Sequence, residues 1–100
     1  MTATKKAAPC WNVYVLRCAD DSLYTGIATD VNRRLDEHRH SDRGAKYLRG
    51  RGPLALVFCS AADDRSHASR LEKKIKQLPK LKKEALLRTP ARFRRLLADW

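Results

Sequence analysis

Hydrophobic and polar positions change their period several times along the chain, and each change predicts an element. Val13, Val15 and Arg17 alternate with Tyr14, Leu16 and Cys18, a period of two that predicts a strand with Tyr14 on one face. Asp20, Asp21 and Ser22 then form a turn signal, and Leu23, Tyr24, Thr25, Gly26 and Ile27 read as the second strand of a hairpin, with Tyr24 near Tyr14. Gly26 inside that strand predicts a bulge, or a place where a helix or a phosphate approaches the backbone closely. Thr29 or Asp30 can cap a helix running to about His40, with Val31 and Leu35 as its apolar stripe and Arg34 and His38 flanking it.

Residues 41–53 form a basic loop in which Gly44, Gly50, Gly52 and Pro53 alternate with Arg43, Lys46, Arg49 and Arg51. The continuous apolar run from Leu54 to Cys59 predicts a central strand buried on both faces. Asp63, Asp64 or Ser66 can start a helix whose stripe is Ala68, Leu71, Ile75 and Leu78, and Pro79 stops it. Pro79 opens a further helix through Leu86, and Thr89 and Pro90 are the expected cap and first position of a last one, which packs through Phe93, Leu96, Leu97 and Trp100. The predicted class is α+β: a small three-stranded, mostly antiparallel sheet flanked by helices. Residues 1–10 are expected to be a disordered tail, 11–88 the domain and 89–100 a helical extension.

A chain of 100 residues has room for one core. Its formal charge is +11, and twelve of its basic residues fall between Arg65 and Arg95, against only Glu72 and Glu84. That imbalance predicts a polyanionic partner, although a solvated helical surface also favours Lys and Arg. Cys10, Cys18 and Cys59 form no Cys-x-x-Cys pair and suit a reducing cytosol. No apolar run is long enough for a signal peptide or membrane span, so the expected location is cytoplasmic, without a membrane partner.

The hairpin and first helix bring two phenols, an arginine and a histidine towards one place, which suits phosphodiester chemistry. Hydrolysis needs a base for water, cations for the charge developing on phosphoryl oxygens, and help for the leaving oxygen. A tyrosine, with an ordinary pKa near ~10, serves as base only where cationic charge stabilises the phenolate. Arg34 offers a permanently charged fork for phosphate, and Glu72 offers the hard oxygen that Mg²⁺ or Mn²⁺ prefers.

Each residue also has a plainer reading. Tyr14 and Tyr24 could be strand tyrosines with buried rings and exposed hydroxyls. Glu72 could pair with Lys76 and Arg34 with Asp30, each at i,i+4 spacing. His38 and His40 lie two apart on a helix and face different ways, so His38 is placed at the site's edge and His40 on the surface. Lys46, Arg49 and Arg51 are expected to hold backbone phosphates rather than perform chemistry, and Arg33, Lys73 and Lys76 extend that set onto the helices.

Asn12, Val13, Tyr14 and Tyr24, Thr25, Gly26, together with Arg34, His38 and Glu72, resemble the GIY-YIG nucleases. The similarity to the compact, single-domain bacterial YhbQ-like branch spans residues 11–88 and includes Gly44, Ala45, Lys46, Arg49, Gly50, Asp64, Arg65, Ser66 and Lys76. The resemblance implies hydrolysis with one divalent ion, Mg²⁺ or Mn²⁺, bound by Glu72. In-line attack by water, Tyr14 or Tyr24 as base or proton relay, and Arg34 on the phosphoryl charge would leave a 5′ phosphate and a 3′ hydroxyl. Asn12 replaces the first motif's glycine, Thr25 fills the middle of the second, and no asparagine follows Glu72, the chain having only Asn12 and Asn32.

Two functions follow. The first is a metal-dependent endonuclease acting on DNA in preference to RNA, with low sequence specificity. The second, motivated by the missing asparagine, is a nucleic-acid-binding module on the same fold that cleaves nothing by itself or works with a protein partner.

Overall fold

In the computed structural model the described residues are 10–40, 48 and 51–100. All of the expected tail but Cys10 lies outside them, as do Lys46 and Arg49 of the basic loop.

Strands β1 (Trp11–Arg17) and β2 (Leu23–Ala28) form the expected antiparallel hairpin, with Tyr14 opposite Gly26 and Leu16 opposite Tyr24. Its turn is built by short polar side chains, as the Asp20, Asp21, Ser22 run implies. Asp20 Oδ1 accepts from the Ser22 amide at 3.1 Å and its hydroxyl at 2.6 Å, while Asp21 adopts a left-handed φ of 68°.

Strand β3 (Ala55–Ala62) pairs antiparallel with the other side of β1, so the order is β2-β1-β3 and β1 is central. This corrects the expectation for the run from Leu54 to Cys59, which belongs to an edge strand with Leu56 exposed. The strand buried on both faces is β1, in which Val13, Tyr14, Val15 and Leu16 are all buried. Within β3 only Phe58 of that run is buried, so an unbroken apolar run here reports neither two covered faces nor a central place in the sheet.

Among the described residues four helices flank the sheet: α1 (Val31–His40), α2 (Arg65–Lys76), α3 (Lys80–Leu87) and α4 (Pro90–Ala98). Asp30 caps α1 by accepting from the Arg33 amide at 3.0 Å, and Asp64 caps α2 by accepting from the His67 amide at 2.7 Å, contacts each worth about 1 kcal/mol. Pro90 takes the first position of α4, but the Thr89 side chain makes no capping hydrogen bond. Among the described residues no helix is long and apolar enough to cross a membrane.

The alternation along β1 separates two cores. Val13 and Val15 meet Phe58 of β3, Leu71 and Ile75 of α2, Leu86 of α3, and Phe93 and Leu97 of α4. Tyr14, Leu16 and Cys18 face the other way, towards Leu35 of α1, Leu48 and Leu54. At the end of β1, Arg17 grips Glu84 of α3 through two hydrogen bonds of 2.8 and 2.7 Å, which pull that carboxyl down to about 2.

Candidate active site

The site grows from the central strand outward. Tyr14 sits at the middle of β1 on the α1 side, and its partner across the hairpin, Gly26, leaves room for its ring. A Cβ at Gly26 would lie 2.6 Å from the Tyr14 hydroxyl and 2.7 Å from Cζ. The glycine therefore serves neither a bulge nor a helix; it is the floor on which Tyr14 lies.

Helix α1 crosses above and delivers His38 to that hydroxyl, with 2.9 Å between Tyr14 Oη and His38 Nε2. Tyr24, two residues from Gly26, completes a cluster of three rings. Centroid separations are 6.4 Å for Tyr14 and Tyr24, 6.2 Å for Tyr14 and His38, and 5.5 Å for Tyr24 and His38, the last edge to face. The plain reading of Tyr14 as a strand tyrosine with an exposed tip does not survive, since only 1% of the residue is exposed. His38 is buried as well, at 8% exposure.

Electrostatics set the protonation of this pair. Burial and the neighbouring Tyr24 push the Tyr14 phenol well above the ordinary tyrosine range; Glu72 adds to that, and Arg34 opposes it by charge and by a hydrogen bond to the phenol oxygen. Burial and Arg34 depress His38, so the neutral imidazole is favoured and can present Nε2 to the Tyr14 proton. The phenol thus stands between a cationic donor and a neutral imidazole, which accepts its proton in the tautomer that carries hydrogen on Nδ1.

Arg34 does not pair with Asp30 through its side chain. Its Nη1 donates to Glu37 at 2.9 Å, a bond that raises its own pKa further, and Asp30 spends its carboxylate on the helix cap. Arg33 reaches the same Glu37 at 3.6 Å, and the two arginines line a recess of about 190 Å³ with Ala28, Thr29 and Asp30. Glu37 was missed in the sequence, although its spacings of three from Arg34 and four from Arg33 on one helix are a legible signal.

From the α2 side, Glu72 pairs with Lys76 at 3.2 Å, and Lys76 also lies 6.0 Å over the Tyr24 ring. Lys73 is exposed on the same helix. Among the described residues no group of three or more His, Cys, Asp or Glu could hold a metal ion. A lone carboxylate, one quarter exposed, fits an ion that takes most of its oxygens from water and phosphate, as Mg²⁺ does, and does not fit zinc.

Arg51 is anchored away from this cluster, on the hairpin turn. Its carbonyl accepts from the Ala19 amide at 2.8 Å and its guanidinium donates to Asp20 at 2.5 Å. The structure thus brings Tyr14, Tyr24, Arg34, His38 and Glu72 together around the middle of the hairpin, with Arg33 and Lys76 flanking them.

Comparison with known proteins agrees with this arrangement. Residues 10–85 match the GIY-YIG catalytic domain. The UPF0213 protein YhbQ of Escherichia coli (strain K12) is 51% identical over 89 residues, covering 89% of this chain and 88% of that protein. A UPF0213 protein of Pectobacterium carotovorum is 54% identical over 79 residues, 79% of each chain. The solution NMR structure of a UPF0213 protein from Bacillus halodurans superposes with a TM-score of 0.51 at 46% identity, covering 78% of this chain and 82% of that one.

Proposed function

Because the chain belongs to the GIY-YIG domain family, alongside the UPF0213 proteins, we propose that it is a nuclease that hydrolyses phosphodiester bonds in DNA with low sequence specificity. The observation that carries this reading is the buried Tyr14 hydroxyl, held 2.9 Å from His38 Nε2 and within the fields of Arg34, Tyr24 and Glu72. One neutral partner would satisfy a buried hydroxyl; here an arginine, an imidazole and a carboxylate all act on the same phenol.

Raised as it is, Tyr14 is no resting phenolate at neutral pH. Its role is then a relay: Tyr14 takes a proton from the attacking water as its own passes to neutral His38. Arg34 receives the charge that builds on the phosphoryl oxygens, and Glu37 fixes its guanidinium plane. Mg²⁺ or Mn²⁺ bound at Glu72 would supply positive charge opposite those same oxygens and the leaving oxygen. Arg33, Lys73 and Lys76 hold flanking backbone phosphates, contacts that position a strand without reading its bases; Lys46, Arg49 and Arg51 extend this set.

Cleavage of duplex, single-stranded and branched DNA with Mg²⁺ or Mn²⁺ tests the proposal, using wild type, Tyr14→Phe and Glu72→Ala. Wild-type cleavage that both variants lose is the expected outcome; equal cleavage by all three would sink it. A binding module that does not cleave alone is favoured by one observation, the engagement of Glu72 with Lys76 at 3.2 Å. On that reading Glu72→Ala binds DNA at least as tightly as wild type, having lost a negative charge, and no DNA is cut by any variant.

A further inference from the structure

A further cation, Lys83, stands beside the site, and neither motif points to it. Leu23, Tyr24 and Thr25 of β2 face Lys76 of α2 and Lys83 of α3 across an open recess of about 290 Å³. Its neighbours are matched to acids: Lys76 pairs with Glu72, and Lys80 with Asp21 and Glu84. Lys83 is half-buried, yet it has no acid partner among the described residues. A lysine so placed can pack its stem against the recess and present an ammonium with three donors uncommitted to any acid there, which suits an anion entering the recess.

The recess also has a counterpart. Strand β2 begins at this recess and ends, at Ala28, in the one lined by Arg33 and Arg34. Between them lies Gly26, with the Tyr14 hydroxyl above it. From Tyr24 to Ala28 the strand rises about 13 Å, at roughly 3.3 Å per residue, a span that no single phosphate covers.

We propose that Lys83, together with Lys76, holds a backbone phosphate neighbouring the reacting phosphodiester, so that the bound strand runs along the length of β2 from one recess to the other. Lys83 is thereby a positioning residue for nucleic acid, and the proposal rests on the nucleic-acid reading above. Its substrate chemistry is a phosphodiester chain extending on both sides of the cleaved bond, not a mononucleotide or a free terminal phosphate.

The test measures affinity for a fluorescent DNA duplex in chelator, where nothing is cut, across a series of NaCl concentrations. Lys83→Met keeps the apolar stem and removes the charge; Lys83→Arg keeps the charge; Lys82→Ala removes a neighbouring exposed charge that does not line the recess. Lys83→Met is expected to bind about tenfold more weakly at low salt, with the slope of log affinity against log salt shallower by about 0.9, the signature of one lost phosphate contact. Lys83→Arg restores both, and Lys82→Ala shifts affinity less than about twofold. Equal losses from Lys83→Met and Lys82→Ala would show only diffuse charge and overturn the proposal.

Turnover separates the two readings. If Lys83→Met shows its altered salt slope while no variant or wild type cleaves, the recess stands and the nuclease reading fails. Should Tyr14→Phe abolish cleavage while Lys83→Met binds as wild type does, the nuclease reading stands and the recess fails.

Discussion

The two faces of the sheet use the same strand for opposite ends. On one, Val13 and Val15 of β1 meet Phe58, Leu71, Ile75, Leu86, Phe93 and Leu97, and the stacked rings of Phe58 and Phe93 are 4.2 Å apart. The buried Thr25, opposite Val15, is the polar residue that shares this face. On the other, the side chain between those valines is a phenol, and that tyrosine is only 1% exposed. The apolar face is held by area removed from water, which is indifferent to direction. The tyrosine face is directional, because a buried hydroxyl must find a partner, and His38 and Arg34 supply it. The larger apolar core thus lies on one side of β1 and the candidate site on the other, with Gly26 as the place where the Tyr14 ring dictates a residue of the sheet.

The largest expected effects are a pair of mirror images. Tyr14→Phe should lower turnover by about 10²- to 10⁴-fold, the usual worth of a positioned proton carrier, while DNA affinity in chelator stays within about twofold. Phe93→Ala should lower unfolding free energy by about 3–5 kcal/mol and leave the turnover of the molecules still folded unchanged. Denaturant melts and kinetics below the unfolding midpoint check both, and a selective loss of turnover in Phe93→Ala would break the division between the faces.

Gly26→Ala probes the boundary. Its methyl would meet the Tyr14 ring at 2.6 to 3.1 Å, so the ring must move. We expect about 1–3 kcal/mol of lost stability together with most of the turnover, a joint loss that neither of the first two variants shows. Glu37→Gln is milder: it keeps the shape but weakens the hold on Arg34, so kcat should fall by about tenfold with little change in melting.

The pH dependence is the smallest effect. Burial and Arg34 depress His38 below its ordinary value, so the folded protein resists its protonation more than the unfolded chain does. The contribution of His38 to stability is therefore present in full above the unfolded pKa near 6.5 and is lost as pH falls towards the depressed folded value. Turnover should decline over the same acidic range, as protonation removes the acceptor for the Tyr14 proton. A melting series that lost this dependence in His38→Gln, against the wild-type trend, would assign it; an unchanged trend would place it elsewhere.

Much of this was legible in the chain before any coordinates. Period-two alternation around the Asp20, Asp21, Ser22 turn located the hairpin, the Asp30 and Asp64 caps lay among the candidates read from the sequence, and the stripe of Ala68, Leu71 and Ile75 gave the buried side of α2. These features are local: their causes lie within a few residues of their effects. The candidate site was legible in its types of residue, because two tyrosines, an arginine, a histidine and a glutamate at those spacings resemble a family.

What the tertiary structure alone decided is relational. It set the order of the strands, making β1 central and the more continuously apolar β3 an edge. It buried the Tyr14 hydroxyl against His38, moved Arg34 from Asp30 to Glu37, and left Lys83 beside a recess without an acid partner among the described residues. None of these follows from spacing along one element, because each depends on side chains brought together from separate elements. Sequence by itself determined which elements form and which chemistry they carry; only their packing decided which polar groups lose water, and loss of water is what turns a strand tyrosine into a candidate proton relay.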